Sequence, residues 1–363
     1  MQLQVKQLIN LTPACDDKTI YHLVLTPSAG ETLHYEPGDW LTLTVKNQPE
    51  WVEALLQRLR LSGDELVEVR RAGQVSSRMA LTEYLEISQL NPAILNKLQR
   101  QYQLGDWADR QAMIDYAYGR DILDLLDAFP SLCELGAEFL TLLSPLAPRY
   151  YSIASAQVAV GNEVHLLIRL VEYQNSSVSG RMHYGVASYA VSQLQIGDGV
   201  EVELKSNPTF KLPANHQTPI IMLGAGTGLA PYIAFMQQRA AQADSGQNWL
   251  FFGETHRACS FLFGELLQAW QTQGKLLLNT AFSRDQAEKH YVQHEIAQHQ
   301  TALWDWLQQG AHLYLCGSQE QLAKGVEAAF IELFRECGEM SEPEARDYWQ
   351  ALRKARRLQL DVY

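Results

Sequence analysis

Two stretches of the chain place residue types where phosphate chemistry needs them. The first is Gly224-Ala225-Gly226-Thr227-Gly228-Leu229-Ala230-Pro231, which comes after the apolar run Pro219-Ile220-Ile221-Met222-Leu223 and leads into a helical pattern through about Arg239. Glycines let the backbone approach a diphosphate closely, and the first turn of a helix offers N–H groups and a partial positive charge to the anion. The spacing departs from Gly-x-Gly-x-x-Gly, with Thr227 between two glycines and Pro231 at the helix start, and such a turn alone is as readily structural. The second stretch is Ala281-Phe282-Ser283-Arg284-Asp285 and then Lys289-His290-Tyr291-Val292-Gln293. It gathers a hydroxyl, two cations, an aromatic ring and an amide just after a short strand over Lys275 to Phe282. Ser283, Arg284 and Lys289 suit a doubly charged phosphate monoester, and Tyr291 suits stacking on an adenine. The pair of clusters implies NADP rather than NAD.

The elements that must position these residues can be read from periodicity. From Gln2 to Lys46 apolar and polar residues alternate, as in Thr19-Ile20-Tyr21-His22-Leu23-Val24-Leu25 and Trp40-Leu41-Thr42-Leu43-Thr44-Val45, which predicts antiparallel strands around the turn Tyr35-Glu36-Pro37-Gly38-Asp39. From Pro49 to about Leu143 the spacing becomes helical, with Trp51, Leu55, Leu56 and Leu59, then Ile122, Leu125, Leu126 and Phe129. Strands resume at Tyr150 to Ser155, Glu163 to Tyr173 and Gly199 to Leu204. After Lys211-Leu212-Pro213 apolar strands alternate with longer helical segments, the mark of a parallel α/β sheet. The expected fold class is α+β with two domains: an antiparallel β-barrel of residues 1–48 and 146–212, a helical insertion over 49–145, and a parallel α/β nucleotide-binding domain over 213–363.

Composition narrows the function. A chain of 363 residues, 47% hydrophobic and 19% charged, has globular composition and enough length for two cores. A formal net charge of −12 argues against a general binder of nucleic acid or of membrane surfaces, which need excess Lys and Arg. The one dense basic run, Arg353-Lys354-Ala355-Arg356-Arg357, reads either as a solvated helix face or as a docking surface for an acidic protein. Residues 1–10 lack the charged and apolar regions of a signal peptide, and no stretch nears the ~18 consecutive apolar residues of a membrane helix. A cytoplasmic location is expected. The five cysteines, Cys15, Cys133, Cys259, Cys316 and Cys337, are odd in number and far apart, which predicts reduced thiols. No His-Glu-x-x-His and no Cys/His spacing supports a metal site.

With these residues in view, the chain resembles the reductase half of the diflavin enzymes, above all the flavoprotein subunit of NADPH-dependent sulfite reductase. The resemblance runs from Tyr35-Glu36-Pro37-Gly38-Asp39, through Arg149-Tyr150-Tyr151-Ser152 and Gly185-Val186-Ala187-Ser188, to the Gly-Thr-Gly turn, Ser283-Arg284, Tyr314-Leu315-Cys316-Gly317 and Asp361-Val362-Tyr363. It implies FAD in the barrel domain and NADPH on the parallel sheet. It implies further that Arg149 pairs with the FAD diphosphate, that Tyr150 or Tyr151 packs along the isoalloxazine, and that Ser152 lies near flavin N5. Ser88, Leu167, Ile168, Arg169 and Tyr173 match other flavin-contacting positions, and Gly185 to Ser188 would open a helix toward the diphosphate. Gly226, Thr227 and Gly228, with Ser283, Arg284, Lys289, Tyr291 and Gln293, would hold NADPH. Ser152, Cys316 and Asp361 resemble the family's catalytic group, and the terminal Tyr363 its flavin-covering aromatic.

The activity implied by the resemblance is hydride transfer from NADPH to FAD, then single electrons to a separate acceptor: a flavodoxin-like protein, an FMN subunit, or a haem or sirohaem protein. The flavodoxin-like FMN module of such enzymes is expected to be absent, because Met1 falls near the start of the FAD domain. A non-catalytic subunit that keeps the reductase fold is the alternative, and a colourless preparation would distinguish it. Four departures bear on NADP binding: Ala225 where the family usually has Pro, Ser318 where it has Asp, Gly325 where an acidic residue is common, and Glu254 to Ser260, which lacks the acidic character usual there.

Overall fold

Apolar and polar residues alternate along Val200-Glu201-Val202-Glu203 but apolar ones run unbroken along Ile220-Ile221-Met222-Leu223, and the two patterns build two different sheets. They are seen in a computed structural model that describes residues 1–70, 72–175, 180–242 and 244–363. In chain order the strands are β1 (Gln2–Asn10), β2 (Ile20–Pro27), β3 (Trp40–Leu43), β4 (Leu66–Val69), β5 (Gly73–Ser76), β6 (Arg149–Ser152), β7 (Val164–Arg169) and β8 (Glu172–Gln174). They continue as β9 (Met182–Tyr184), β10 (Gly199–Lys205), β11 (Ile220–Ala225), β12 (Asn248–Glu254), β13 (Leu277–Phe282), β14 (His312–Gly317) and β15 (Leu358–Val362).

The first sheet has the order β6-β3-β10-β1-β2-β7. Its β1 pairs antiparallel with both β10 and β2, and β2 with β7. The two edges then meet, because Ile153 just beyond β6 bridges Leu166 of β7 and the Ala154 N–H donates to the His165 carbonyl. A sheet whose first and last strands pair is a barrel, which leaves no open edge there. The second sheet is parallel, in the order β13-β12-β11-β14-β15. Along β11, Ile221 and Leu223 join a core with Val326, Phe330 and Leu333 of the helix Lys324–Cys337. Ile220 and Met222 point the other way, into a core with Tyr232, Ile233 and Phe235 of the helix Ala230–Ala240. Helices on both faces explain why that strand carries no polar alternation. The α+β class, with an antiparallel barrel and a parallel nucleotide-type sheet, is as expected.

Two compact units emerge. One comprises Met1–Thr42, Tyr150–Arg169 and Gln195–Tyr363; the other Leu43–Arg149 and Leu170–Leu194. The second unit is mainly helical. Its helix Pro49–Leu59 starts on proline, ends at Arg60 in the left-handed region (φ 57°), and buries Val52, Leu55, Leu56 and Leu59 on one face. The helical expectation missed one hairpin there, β4 with β5, in which Val67 and Val69 are buried while Leu66 and Glu68 are exposed. That alternation is only four residues long, too short to outweigh helical spacing on both sides.

The cysteines require a correction. Cys15 and Cys259, expected as reduced thiols, form a disulfide across a sequence separation of 244 residues, with Cα atoms 5.3 Å apart. Cys133, Cys316 and Cys337 are free. Spacing along the chain carries no information about this pair, because folding alone brings the β1–β2 connection to the turn after β12. Among the described residues no helix is long and apolar enough to cross a membrane.

Candidate functional site

The C-terminal ends of parallel strands collect groups from neighbouring elements, and in open α/β sheets ligands bind there. Register places Cys316 of β14 beside Asp361 of β15. Asp361 Oδ2 accepts a hydrogen bond from the Ser152 hydroxyl at 2.5 Å and lies 3.9 Å from Cys316 Sγ. Its Oδ1 accepts from the Trp40 indole N–H at 3.0 Å. Ser152 ends β6 and Trp40 begins β3, so barrel strands and the edge of the parallel sheet converge on one carboxylate. Burial, followed by the Asp361 charge, pushes the Cys316 thiol well above its usual range, which keeps it a neutral S–H. Trp40 was passed over in the sequence, where it reads as one more aromatic in a strand.

The glycine turn packs directly behind this group. Gly226 has φ +56°, and a Cβ on Gly228 would sit 2.2 Å from the Cys316 carbonyl oxygen. Only glycine lets the turn pass so close to the end of β14. Between them Thr227 Oγ1 lies 2.8 Å from the Tyr363 hydroxyl. The Tyr363 N–H donates to the Gly317 carbonyl and its main-chain oxygen accepts from the Gln319 N–H, so the tail is tied down although the residue is 69% exposed.

At the neighbouring strand ends, the Ser283 and Arg284 N–H groups donate to the Glu254 and Thr255 carbonyls, which fixes the loop after β13 on the end of β12. Lys289 is exposed, and Tyr291 caps the helix Val292–Gln298. Gln293 Oε1 is buried without a hydrogen-bond partner among the described residues, an acceptor that an N–H or O–H of a ligand would satisfy. Gly325 makes room for it, since a Cβ there would come 3.1 Å from the Gln293 amide. Arg284 Nη1 donates to Asp17 Oδ2 at 2.8 Å, a pairing with no sequence signal. Ser318, one of the departures from the family pattern, caps a helical turn instead: its hydroxyl accepts from the Gln321 N–H at 3.2 Å.

The second unit holds the remaining residues matched to flavin contacts, Ser88, Arg149, Tyr173 and Gly185 to Ser188, whereas Tyr150, Tyr151 and Leu167 to Arg169 belong to the first. Glu86, also passed over, joins two of them. Its Oε1 accepts from the Ser88 hydroxyl at 2.7 Å and its Oε2 from Arg149 Nη2 at 2.5 Å. Gly185 caps the helix Val186–Ser192, and Ser188 Oγ accepts from the Val171 N–H at 3.0 Å. The first turn of a helix leaves N–H groups without helical partners, while the half-buried Arg149 guanidinium is paired with Glu86. A cavity of about 90 Å³ lies in this unit, lined by Trp51, Ser88, Ile122, His183 and Tyr184 among others. Tyr173 stacks on His183 with ring centroids 5.2 Å apart. Asp121, Asp124 and His183 also converge, but Arg181 ion-pairs with both carboxylates and His183 Nε2 lies 2.7 Å from Asp124 Oδ2, so their charges are already answered.

In the basic run, Arg353, Lys354 and Arg356 are exposed, while Arg357 turns inward and donates to the Leu307 and Ala311 carbonyls.

Comparison with known proteins agrees with this architecture. The family described as FAD binding domain matches residues 108–189, and the family described as oxidoreductase NAD-binding domain matches residues 222–328. Over 360 residues the chain is 39% identical to the sulfite reductase [NADPH] flavoprotein alpha-component of Photorhabdus laumondii, covering 97% of this chain and 59% of that protein. The protein of the same name from Yersinia enterocolitica is 40% identical over 371 residues, covering 100% of this chain and 60% of that one. That of Yersinia pestis is 40% identical over 370 residues, with 100% and 59% covered. The chain thus spans about three fifths of the length of these relatives.

Proposed function

We propose that this chain, which carries an FAD binding domain and the NAD-binding domain of oxidoreductases, is an NADPH-dependent FAD reductase that passes electrons to a separate protein. The domain division 1–48 with 146–212, 49–145 and 213–363 belongs to the same proposal. One observation carries it: Ser152, Cys316 and Asp361, the three groups matched to the family's catalytic set, converge within hydrogen-bonding reach of one carboxylate. Bound FAD and NADPH supply hydride transfer from nicotinamide C4 to flavin N5, and then single electrons.

The chain's own residues supply position and proton control. Asp361 accepts the hydrogen bond from the Ser152 hydroxyl, so that the Ser152 oxygen keeps its lone pairs and would be an acceptor for the flavin once FAD is bound. Cys316, kept neutral, packs beside it without adding a charge. Arg149 and the first turn of Val186–Ser192 would bind the FAD diphosphate, Tyr150 or Tyr151 would pack along the isoalloxazine, and Ser88, Leu167 to Arg169 and Tyr173 would make further contacts with the flavin cofactor. Gly226 to Gly228 would take the NADPH diphosphate, Ser283, Arg284 and Lys289 the 2′-phosphate, and Tyr291 and Gln293 the adenosine.

The acceptor in this reading is a haem or sirohaem protein, or a flavodoxin-like or FMN protein, and the location is the cytoplasm. Arg353, Lys354 and Arg356 form part of its docking surface; raising salt from about 50 to about 500 mM should slow reduction of the acceptor but not of ferricyanide. The primary test is flavin release by heat, then chromatography and an NADPH–ferricyanide assay. FAD without FMN, with NADPH oxidation, is expected. Stoichiometric FMN, or a colourless inactive protein, would overturn the reading.

A further inference from the structure

Residues 11–19 connect β1 to β2, and the middle of that connection reads Cys15-Asp16-Asp17-Lys18. Thr12 ties its two ends together: the hydroxyl donates to the Lys18 carbonyl at 3.2 Å and accepts from the Ile20 N–H at 2.9 Å. Three side chains then leave this one turn for the C-terminal end of β12 and the loops that follow β12 and β13. Cys15 is bonded to Cys259. Lys18 forms an ion pair with Glu254, the last residue of β12, with side chains only 7% and 2% exposed. Asp17 lies between these anchors, and its Oδ2 accepts from Arg284 Nη1 at 2.8 Å. The guanidinium assigned to the 2′-phosphate therefore already holds a carboxylate.

The anchors matter because an exposed pair is weak by itself. The Asp17 and Arg284 side chains are 32% and 54% exposed, and water screens such pairs strongly. Holding the turn at both ends raises the effective concentration of the Asp17 carboxylate at Arg284 without adding a contact. A phosphate dianion must displace that carboxylate or share the guanidinium against its repulsion. A cofactor without a 2′-phosphate meets no such competition.

We infer that Asp17 is a specificity-determining residue: it competes with the 2′-phosphate for Arg284, and the Cys15–Cys259 bond sets how firmly it does so. The inference rests on the NADPH reading above. Both cysteines are half-buried, hence within reach of a dithiol reductant. In that exchange the dithiol is oxidised to its own disulfide, its two electrons and two protons pass to Cys15 and Cys259, and the S–S bond is replaced by two thiols. The Lys18–Glu254 pair remains as the single anchor, and Asp17 spends less time at Arg284.

The test is calorimetric titration of the flavin-loaded full chain with adenosine 2′,5′-bisphosphate, and with ADP as the probe that lacks the 2′-phosphate. Asp17→Asn should tighten the bisphosphate about two- to fivefold, and dithiothreitol-reduced parent or Cys15→Ser/Cys259→Ser by a smaller factor, with ADP unchanged throughout. Asp17→Asn without effect, beside Arg284→Ala that weakens the bisphosphate, would overturn the role of Asp17 while leaving the NADPH reading intact. An effect of Asp17→Asn with none on reduction would remove the redox control alone. If Arg284→Ala changes nothing, the 2′-phosphate assignment falls and this inference falls with it.

Discussion

The two edges of the parallel sheet use opposite means to present polar groups. At the β14–β15 edge, Cys316 and Asp361 sit on paired strands, and Ser152 and Trp40 arrive on barrel strands. The register of β14 and β15 sets Cys316 beside Asp361, and Cys316, Ser152 and Trp40 all answer to that one carboxylate. At the β12–β13 edge, Ser283, Arg284 and Lys289 stand on a loop, half-buried to exposed, and Arg284 is claimed by a residue from another connection. Strand-borne groups cannot adjust by much, which suits a reacting centre that needs sub-ångström placement. Loop-borne cations can exchange one anion for another, which suits reading a phosphate.

The largest effect that would test this difference is at Asp361. Replacing it with Ala leaves the Ser152 hydroxyl and the Trp40 N–H without their acceptor, and should lower the rate of flavin reduction by about a hundredfold or more. Flavin content and the affinity for adenosine 2′,5′-bisphosphate should stay near parental, and Asp361→Asn should recover part of the loss. Anaerobic stopped-flow bleaching of the flavin measures the step. A parental rate in Asp361→Ala would mean that strand placement here serves stability alone.

Next in size is Arg284→Ala. Hydrogen bonds to charged groups contribute about 1.5–3 kcal/mol each, so kcat/KM for NADPH should fall about ten- to a hundredfold while that for NADH changes little. Equal losses with both cofactors would place Arg284 with the structural groups and erase the contrast between the two edges. Because Asp17 already holds the guanidinium, the loss should lie toward the lower end of that range.

Whether a feature could be read in the sequence depends on how far away its cause lies. The barrel and the parallel sheet were readable because alternation and unbroken apolar runs are consequences of one-sided and two-sided burial, visible within a few residues. The Gly226 to Gly228 turn between β11 and the helix Ala230–Ala240 was readable for a similar reason, since clustered glycines and a following proline mark such a turn locally. Trp40, Glu86 and Asp17 were not, because each gains its place in the site from a partner distant in sequence: Asp361, Arg149 and Arg284. The Cys15–Cys259 bond is the extreme case, and counting cysteines pointed the wrong way. Even Asp361 was legible only by resemblance, as nothing in Leu360-Asp361-Val362 distinguishes it from a surface carboxylate.

A smaller effect than at Asp361 or Arg284 is expected at Tyr363, which belongs to both edges in character: it is carried by a strand end yet exposed. Its ring is held by the Thr227 hydroxyl, and its main chain by two bonds to Gly317 and Gln319. If the ring covers the isoalloxazine, it must leave before nicotinamide can approach to the roughly 3–3.5 Å that hydride transfer needs. Leaving costs the Thr227 hydrogen bond, about 0.5–1.5 kcal/mol net, and a comparable amount of stacking. NADPH, anchored through its 2′-phosphate, can offset that cost; NADH cannot. Tyr363→Ala should therefore help NADH more, narrowing the ratio of the two kcat/KM values by about three- to tenfold with ferricyanide as acceptor. Tyr363→Phe, which removes only the hydroxyl, should narrow it by less. A ratio unchanged in both variants would show that the tail is fixed in place by its main-chain bonds and that the nicotinamide is admitted without its movement.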